Sequence, residues 1–287
     1  DYVEHVFTAS THDYILFFTQ KGRVYWKKVY EVPEGGRVTR GKAMVNLLDI
    51  SADEKIAAMI RVREFSESEH LVMATEQGII KKTNLSEFSN PRAGGIIAIE
   101  VEEGDKLIGV KLTAGSNDVM IITRQGMSIR FNESQLRDQG RSTVGVWGID
   151  LAKEDRVESL EVVEANATLL VITENGYGKR TDFEEYRAQT RGGKGVITIK
   201  TTERNGEVVG AHTVHDNDAI MLITSQGQMI RMPVSDIRTI VRNTQGVRLI
   251  NLEAGDKLVS ATTVEPENDE VEEAGTEEKA SSDAEKK

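Results

Sequence analysis

The chain has 287 residues, with 36 lysines and arginines against 47 aspartates and glutamates, a net charge of −11 and no cysteine. The missing cysteines remove disulfide frameworks, thiolate metal sites and cysteine nucleophiles, and apolar runs of about five residues are too short to span a bilayer. The opening Asp1-Tyr2-Val3-Glu4-His5 has neither the basic nor the apolar region of a secretory leader, so a cytoplasmic protein without membrane contact is expected.

Val3-Glu4-His5-Val6-Phe7-Thr8 has the pattern of later closing strands such as Leu107–Leu112 and Leu258–Thr263, so the chain is expected to begin partway through a repeat. Five segments then share one phrase, an apolar run, Thr, two polar residues and Gly. They are Leu16–Gly22, Val72–Gly78, Met120–Gly126, Leu170–Gly176 and Met221–Gly227, with glycines 56, 48, 50 and 51 residues apart. The apolar run predicts a strand buried on both faces, and the glycine supplies the positive φ of a tight hairpin. An alternating strand follows, as in Gly126–Phe131, then a single helical turn such as Asn84–Phe88 or Val234–Ile237. A second phrase starts a third strand at Ala43, Gly95, Gly145, Gly195 and Gly246, and a charged turn such as Asp105-Lys106 leads a fourth. Four strands per roughly 50 residues is a propeller blade. The prediction is all-β over residues 1–264, with repeats at about 9–62, 63–114, 115–164, 165–215 and 216–264, read as six blades with the first mostly missing. Residues 265–287 hold ten acids and three bases with no aromatic side chain, and are expected to be a disordered acidic tail. The body before them has 37 acids and 33 bases, so the overall charge is a poor guide to the partner.

Basic residues recur with the repeat. The position four after the turn glycine is Lys82, Arg130, Arg180 and Arg231, with Lys27 beside the first-unit equivalent, and Lys81 and Lys179 precede two of these. A second series, Arg40, Arg92, Arg141, Arg191 and Arg242, stands before the third strands. Repeated geometry would set such residues at equal steps around one face of a disc, and acids cluster elsewhere, as in Glu100–Glu103. Segregated charge of this kind is the footprint of phosphate binding. Solvation of exposed blade surfaces is the plainer explanation of the same lysines and arginines. One loop, Gln189-Thr190-Arg191-Gly192-Gly193-Lys194-Gly195, sets two cations among three glycines, which let main-chain N–H groups approach an anion.

That loop resembles the box of the C-terminal domain of the DNA gyrase A protein, which reads Gln, basic, Arg, Gly, Gly, basic, Gly; Thr190 is the single departure. The resemblance extends over the whole chain, through segments such as Asn243–Val247 and Asn175–Thr181. It implies a six-bladed β-pinwheel with a basic rim, four-stranded blades and a variable acidic tail. The family's box lies in the first blade, so Gln189–Gly195 reads as a repeat-equivalent, with the principal box expected upstream of Asp1. The implied role is wrapping duplex DNA with little sequence selectivity, as a non-catalytic part of a gyrase. DNA contacts are then expected from Lys27, Arg40, Lys81, Lys82, Arg92, Arg130, Arg141, Lys179, Arg180, Arg231 and Arg242, and from Gln189, Arg191, Gly192, Gly193, Lys194 and Gly195 in the loop. The implied partners are double-stranded DNA, the rest of gyrase A, and gyrase B, with a monomeric isolated domain. No cofactor is expected in this domain, since ATP and magnesium belong to other parts of the holoenzyme.

Other motifs lead nowhere. Gly176–Thr181 departs from a P-loop at Thr173 and Arg180, and His212 and His215, three apart on an extended strand, face opposite ways. None of the six tyrosines sits in a recognisable cleavage motif. The rivals are the related component of topoisomerase IV and, more distantly, a protein-binding propeller or one with a small-molecule site in its channel.

Overall fold

The five apolar phrases become central strands of five antiparallel sheets in the computed structural model, which describes residues 9–35, 41–51 and 53–264. Blade 1 holds β1 (Tyr14–Thr19), β2 (Arg23–Lys28) and β3 (Ile56–Val62). Blade 2 holds β4 (His70–Thr75), β5 (Ile79–Asn84) and β7 (Leu107–Thr113). Blade 3 holds β8 (Asp118–Thr123), β9 (Met127–Asn132) and β11 (Val157–Val162). Blade 4 has β12 (Thr168–Thr173), β13 (Tyr177–Asp182) and β15 (Val208–Val214), and blade 5 has β16 (Ala219–Thr224), β17 (Met229–Pro233) and β19 (Leu258–Val264).

Four two-residue strands remain, β6 (Ile96–Ile97), β10 (Val146–Trp147), β14 (Val196–Ile197) and β18 (Val247–Arg248). Each pairs with the blade before its own repeat: β6 with β2, β10 with β5, β14 with β9 and β18 with β13. The order from centre to rim is β3-β1-β2-β6 in blade 1, and the next three blades follow it; blade 5 has three strands among the described residues. The chain therefore forms five blades, not the six expected from its sequence. The second phrase leaves its own repeat to close the preceding sheet, so a sequence unit and a blade are not the same residues. The expected strand at Val3–Thr8 and the acidic tail at 265–287 lie outside the described residues.

The recurring threonine has a local cause. Its buried hydroxyl accepts the N–H of the residue four further on: Ile79 to Thr75 at 3.2 Å, Met127 to Thr123 at 3.1 Å, Gln228 to Thr224 at 3.3 Å. Valine would fit the space and leave that donor unpaired. The turn glycine is needed twice over. Gly126 has φ 83°, and a Cβ there would stand 2.1 Å from the Ile199 carbonyl, because the Gly126 carbonyl itself accepts the Thr198 N–H at 2.8 Å.

The core lies between blades, and the two-residue period of a strand explains why. On β4, Leu71 and Met73 pack with Leu16 and Phe18 of blade 1, whereas Val72 and Ala74 pack with Val119 and Ile121 of blade 3. Met120 and Ile122 likewise meet Leu169 and Val171, and Leu170 and Ile172 meet Ile220 and Leu222. Full burial of each such side chain stabilises by roughly 1.5–3 kcal/mol, so the interblade layers hold the fold. The outer face of blade 1, with Ile15 and Phe17, is covered by Leu48, Met44 and Leu47 of its own repeat.

Strands β3, β7, β11, β15 and β19 pack successively around the centre and line a cavity of about 500 Å³, in whose wall Lys111 of β7 pairs with Glu161 of the adjacent β11 at 2.9 Å. The two-residue strands form the opposite, outer edge. Among the described residues no helix is long and apolar enough to cross a membrane.

Candidate nucleic-acid interface

Three of the four cations that stand four residues after the turn glycine, Lys82, Arg130 and Arg180, are placed between blades rather than on the rim. Lys82 is buried, its Nζ donating to the Glu133 carbonyl at 3.3 Å and lying 3.5 Å from Asp138. Arg130 donates from Nε to Asp118 at 2.8 Å and from Nη1 to the Phe183 carbonyl at 2.7 Å. Arg180, also buried, donates from Nε to the Ile237 carbonyl at 2.8 Å and pairs with Asp216. Each acceptor carbonyl lies in or directly after the 3-10 turn of the following repeat (Glu133–Gln135, Phe183–Glu185, Val234–Asp236). Main chain reinforces the link, since Gln139, Gln189 and Ile240 donate their N–H groups to the carbonyls of Lys82, Arg130 and Arg180. These side chains fasten one blade to the next, and a phosphate would have to displace their carbonyl partners.

Lys81 and Lys179 are enclosed completely. Lys81 Nζ donates to the carbonyls of Ala98 at 2.8 Å, Thr143 at 3.2 Å and Arg141. Lys179 Nζ donates to Val241 at 2.7 Å and to Arg242. Burial lowers Lys81 to about 8 and Lys179 to about 7; the Arg141 and Arg242 guanidiniums act in the same direction, and Glu100 and Glu185 oppose it. Sequence reasoning expects Lys81, Lys82, Arg130, Lys179 and Arg180 to meet phosphates. In the structure their charged groups are turned inward: strand alternation aims Lys82, Arg130 and Arg180 at the 3-10 turn of the following repeat and Lys81 and Lys179 the opposite way, onto the carbonyls of the loops that carry Arg141 and Arg242.

The glycine loop is a staple across the same junctions. Gly192 N–H donates to the Gly148 carbonyl at 2.7 Å, and the Gly193 carbonyl accepts from Asp150 N–H at 2.9 Å. Gln189 N–H reaches the Arg130 carbonyl at 2.8 Å, and its own carbonyl accepts from Gln135 Nε2 at 3.0 Å. Arg191 N–H donates to Gln135 Oε1 at 2.9 Å. Gly195 has φ 76° and would put a Cβ 2.2 Å from the Ser128 carbonyl. Its glycines thus serve close backbone approach between blades, and the Gly192 N–H is not offered to an anion. Lys194 is exposed.

Further basic residues do reach the surface. Arg92 and Arg231 are exposed and Lys27 is half-buried, while Arg40 lies outside the described residues. Arg141, Arg191 and Arg242 are half-buried and donate from Nη1 to the outermost strands, to Ile97 at 3.4 Å, Trp147 at 3.1 Å and Ile197 at 2.7 Å. Sequence reasoning missed Arg137, Arg187 and Arg238, which stand four residues before these three and are all exposed. They recur at spacings of 50 and 51, so the repeat itself was the available signal. A separate cluster forms where Arg248 Nη2 and Arg204 Nε donate to the Tyr177 hydroxyl at 2.8 and 3.3 Å, which lowers the phenol's pKa. Among the described residues no group of three or more His, Asp or Glu could hold a metal ion.

Comparison with known proteins agrees with this architecture. The family described as "DNA gyrase C-terminal domain, beta-propeller" matches residues 13–63, 69–114, 117–164, 167–215 and 218–265, five segments for five blades. The chain is 48% identical over 271 residues to the DNA gyrase A protein of Salmonella typhimurium, covering 94% of this chain and 31% of that protein. It is 45% identical over 262 residues to the DNA gyrase A protein of Mycolicibacterium smegmatis, covering 91% and 31%. The chain thus spans about a third of the length of these relatives. Among solved structures, it is similar to the C-terminal domain of a DNA topoisomerase IV, with TM-score 0.81 and 27% identity over 89% of this chain and 80% of that one. A DNA gyrase A C-terminal domain has the same fold, with TM-score 0.78 and 24% identity over 89% and 83%. Between the gyrase and topoisomerase IV proteins weighed from the sequence, the relatives at 44–48% identity carry the gyrase name. With the family's pattern matched in all five blades, the chain belongs to the DNA gyrase C-terminal domain family.

Proposed function

We propose that this domain binds duplex DNA along its outer rim and wraps it with little sequence selectivity, as the C-terminal part of a gyrase A protein working with gyrase B. The observation that carries the proposal is the exposed series Arg137, Arg187 and Arg238, one per blade step, each four residues before an arginine that touches the outermost strand. Bending a 20–30 base-pair stretch by 40–90° costs on the order of 1–6 kcal/mol, which several phosphate contacts in register offset together. Phosphate contacts fix position without reading bases. Strand cleavage and ATP chemistry then belong to other parts of the holoenzyme, and this domain contributes no catalytic group.

The test is to mix the chain with nicked plasmid, ligate, and read the linking number across a salt series. A shift that fades with salt is expected. In the triple variant R137Q/R187Q/R238Q the slope of log affinity against log salt should fall by about 0.9 per lost contact. No shift at low salt rejects the proposal. The acidic segment 265–287 would compete with DNA for the rim, so its removal should tighten binding at low salt, and unchanged affinity there rejects that competition.

A further inference from the structure

The rim carries a second repeating feature besides its arginines. Eight large apolar residues are exposed among the described residues, and four hold the same place in successive repeats: Val45 at 43%, Ile97 at 40%, Trp147 at 60% and Ile197 at 37%. The last three are the second residues of β6, β10 and β14. In each pair the first residue (Ile96, Val146, Val196) turns inward and is more buried, so strand alternation aims its neighbour outward. Nothing in the packing requires an apolar side chain there, and solvation alone favours a polar one. Arg248 shows that a charged residue fits, since it holds this place in β18 and is exposed. The carbonyls of Ile97, Trp147 and Ile197 are the ones that accept from Arg141, Arg191 and Arg242, and Val45 shares a surface recess with Arg92. Each apolar tip therefore comes with a guanidinium: Ile97, Trp147 and Ile197 on the outer edges of blades 1, 2 and 3, and Val45 on the 3-10 turn Met44–Asn46 over blade 1.

We propose that Val45, Ile97, Trp147 and Ile197 are minor-groove contacts of the wrapped duplex, pressing on sugar edges and base steps where the groove faces the protein. This rests on the DNA-wrapping reading above and names the part of the duplex that the rim touches. A cation beside an apolar side chain is the pairing that bends DNA at its minor groove, the apolar group easing a step apart while the cation answers the groove's negative potential. A protein partner would match the apolar tips and leave unexplained the exposed Arg137, Arg187 and Arg238, each four residues before an arginine that touches one of them. The contacts should favour DNA with flexible pyrimidine–purine steps at helical-turn spacing.

Trp147 supplies a direct readout. Titrating the 287-residue chain with linear duplex should quench its fluorescence, and the W147F variant assigns the change, since Trp26 is the chain's other tryptophan. The variant I97S/W147S/I197S should keep the wild-type salt slope, bind several-fold more weakly and lose at least half of the linking-number shift. R137Q/R187Q/R238Q should instead lose salt slope. A Trp147 emission unmoved by saturating DNA overturns the inference, as does a serine variant with wild-type affinity and linking shift. In both cases wild-type binding still stands and the wrapping proposal survives. If the wild-type chain binds no duplex at low salt, both proposals fall.

Discussion

Replacing Lys179 with methionine should change how stability depends on pH, because its ammonium is fully enclosed against the Val241 and Arg242 carbonyls. Burial lowers the folded-state value to about 7, while an unfolded lysine titrates near about 10.4. Between these values the unfolded chain holds a proton that the folded chain lacks. Unfolding then takes up a proton, and stability rises with pH by up to about 1.4 kcal/mol per unit. Below the folded value both states are protonated and the dependence vanishes. From about pH 7 to 9.5 the wild type should gain roughly 3 kcal/mol from this group. The methionine variant loses that gain and leaves two buried carbonyls without their donor, at about 1–3 kcal/mol each, offset near pH 7 by relief from burying a charge. The two proteins should therefore be close in stability at pH 7 and diverge by roughly 3 kcal/mol at pH 9.5. Urea unfolding followed by tryptophan fluorescence at both pH values measures this, with all other titrating groups common to the pair. Lys81→Met should diverge in the same direction over a window starting near 8. Parallel stability curves for wild type and K179M would refute the reasoning.

Other substitutions separate the fasteners from the rim. Gly126→Ala must take φ 83° and a Cβ 2.1 Å from the Ile199 carbonyl, and should lose about 2 kcal/mol or more in urea melts; Gly140→Ala, with nothing within 4 Å, should stay near neutral. Thr123→Val should cost about 1–2 kcal/mol by leaving the Met127 N–H without its acceptor, and Thr123→Ser should recover most of it. Arg130→Met breaks the Asp118 pair and the bond to Phe183. It should cost about 2–3 kcal/mol of stability while leaving the salt slope of DNA binding unchanged. Arg187→Gln should do the reverse, and a common effect of both on slope would undo the distinction drawn between them.

Much of this was legible in sequence because its causes are local. The apolar run before Thr75 must be buried on both faces, and Leu71 through Ala74 are. The turn glycines need positive φ, and Gly22, Gly78, Gly126, Gly176 and Gly227 all have it. The expected helical turn after the second strand is there at Leu85–Phe88, with Asn84 accepting the Ser86 N–H at 3.0 Å. The site was less legible. Lys82 and Arg137 are both basic and both recur by repeat, and nothing in their immediate neighbours says which is covered. Lys82 sits on the face of its strand that meets the next blade, and Arg137 follows a 3-10 turn at the surface.

The period, the strands, their hairpins and family membership follow from residue order, because alternation, β propensity and turn chemistry act over a few neighbours. Tertiary structure alone decided how many blades form and which cations face water. Exchange of Ile96–Ile97, Val146–Trp147, Val196–Ile197 and Val247–Arg248 to the preceding sheet is a choice among edges about 50 residues apart, and short-range preferences do not distinguish those edges. That exchange brings Arg141, Arg191 and Arg242 to the rim beside their apolar neighbours, and it buries Lys81 and Lys179 beneath the loops that carry Arg141 and Arg242.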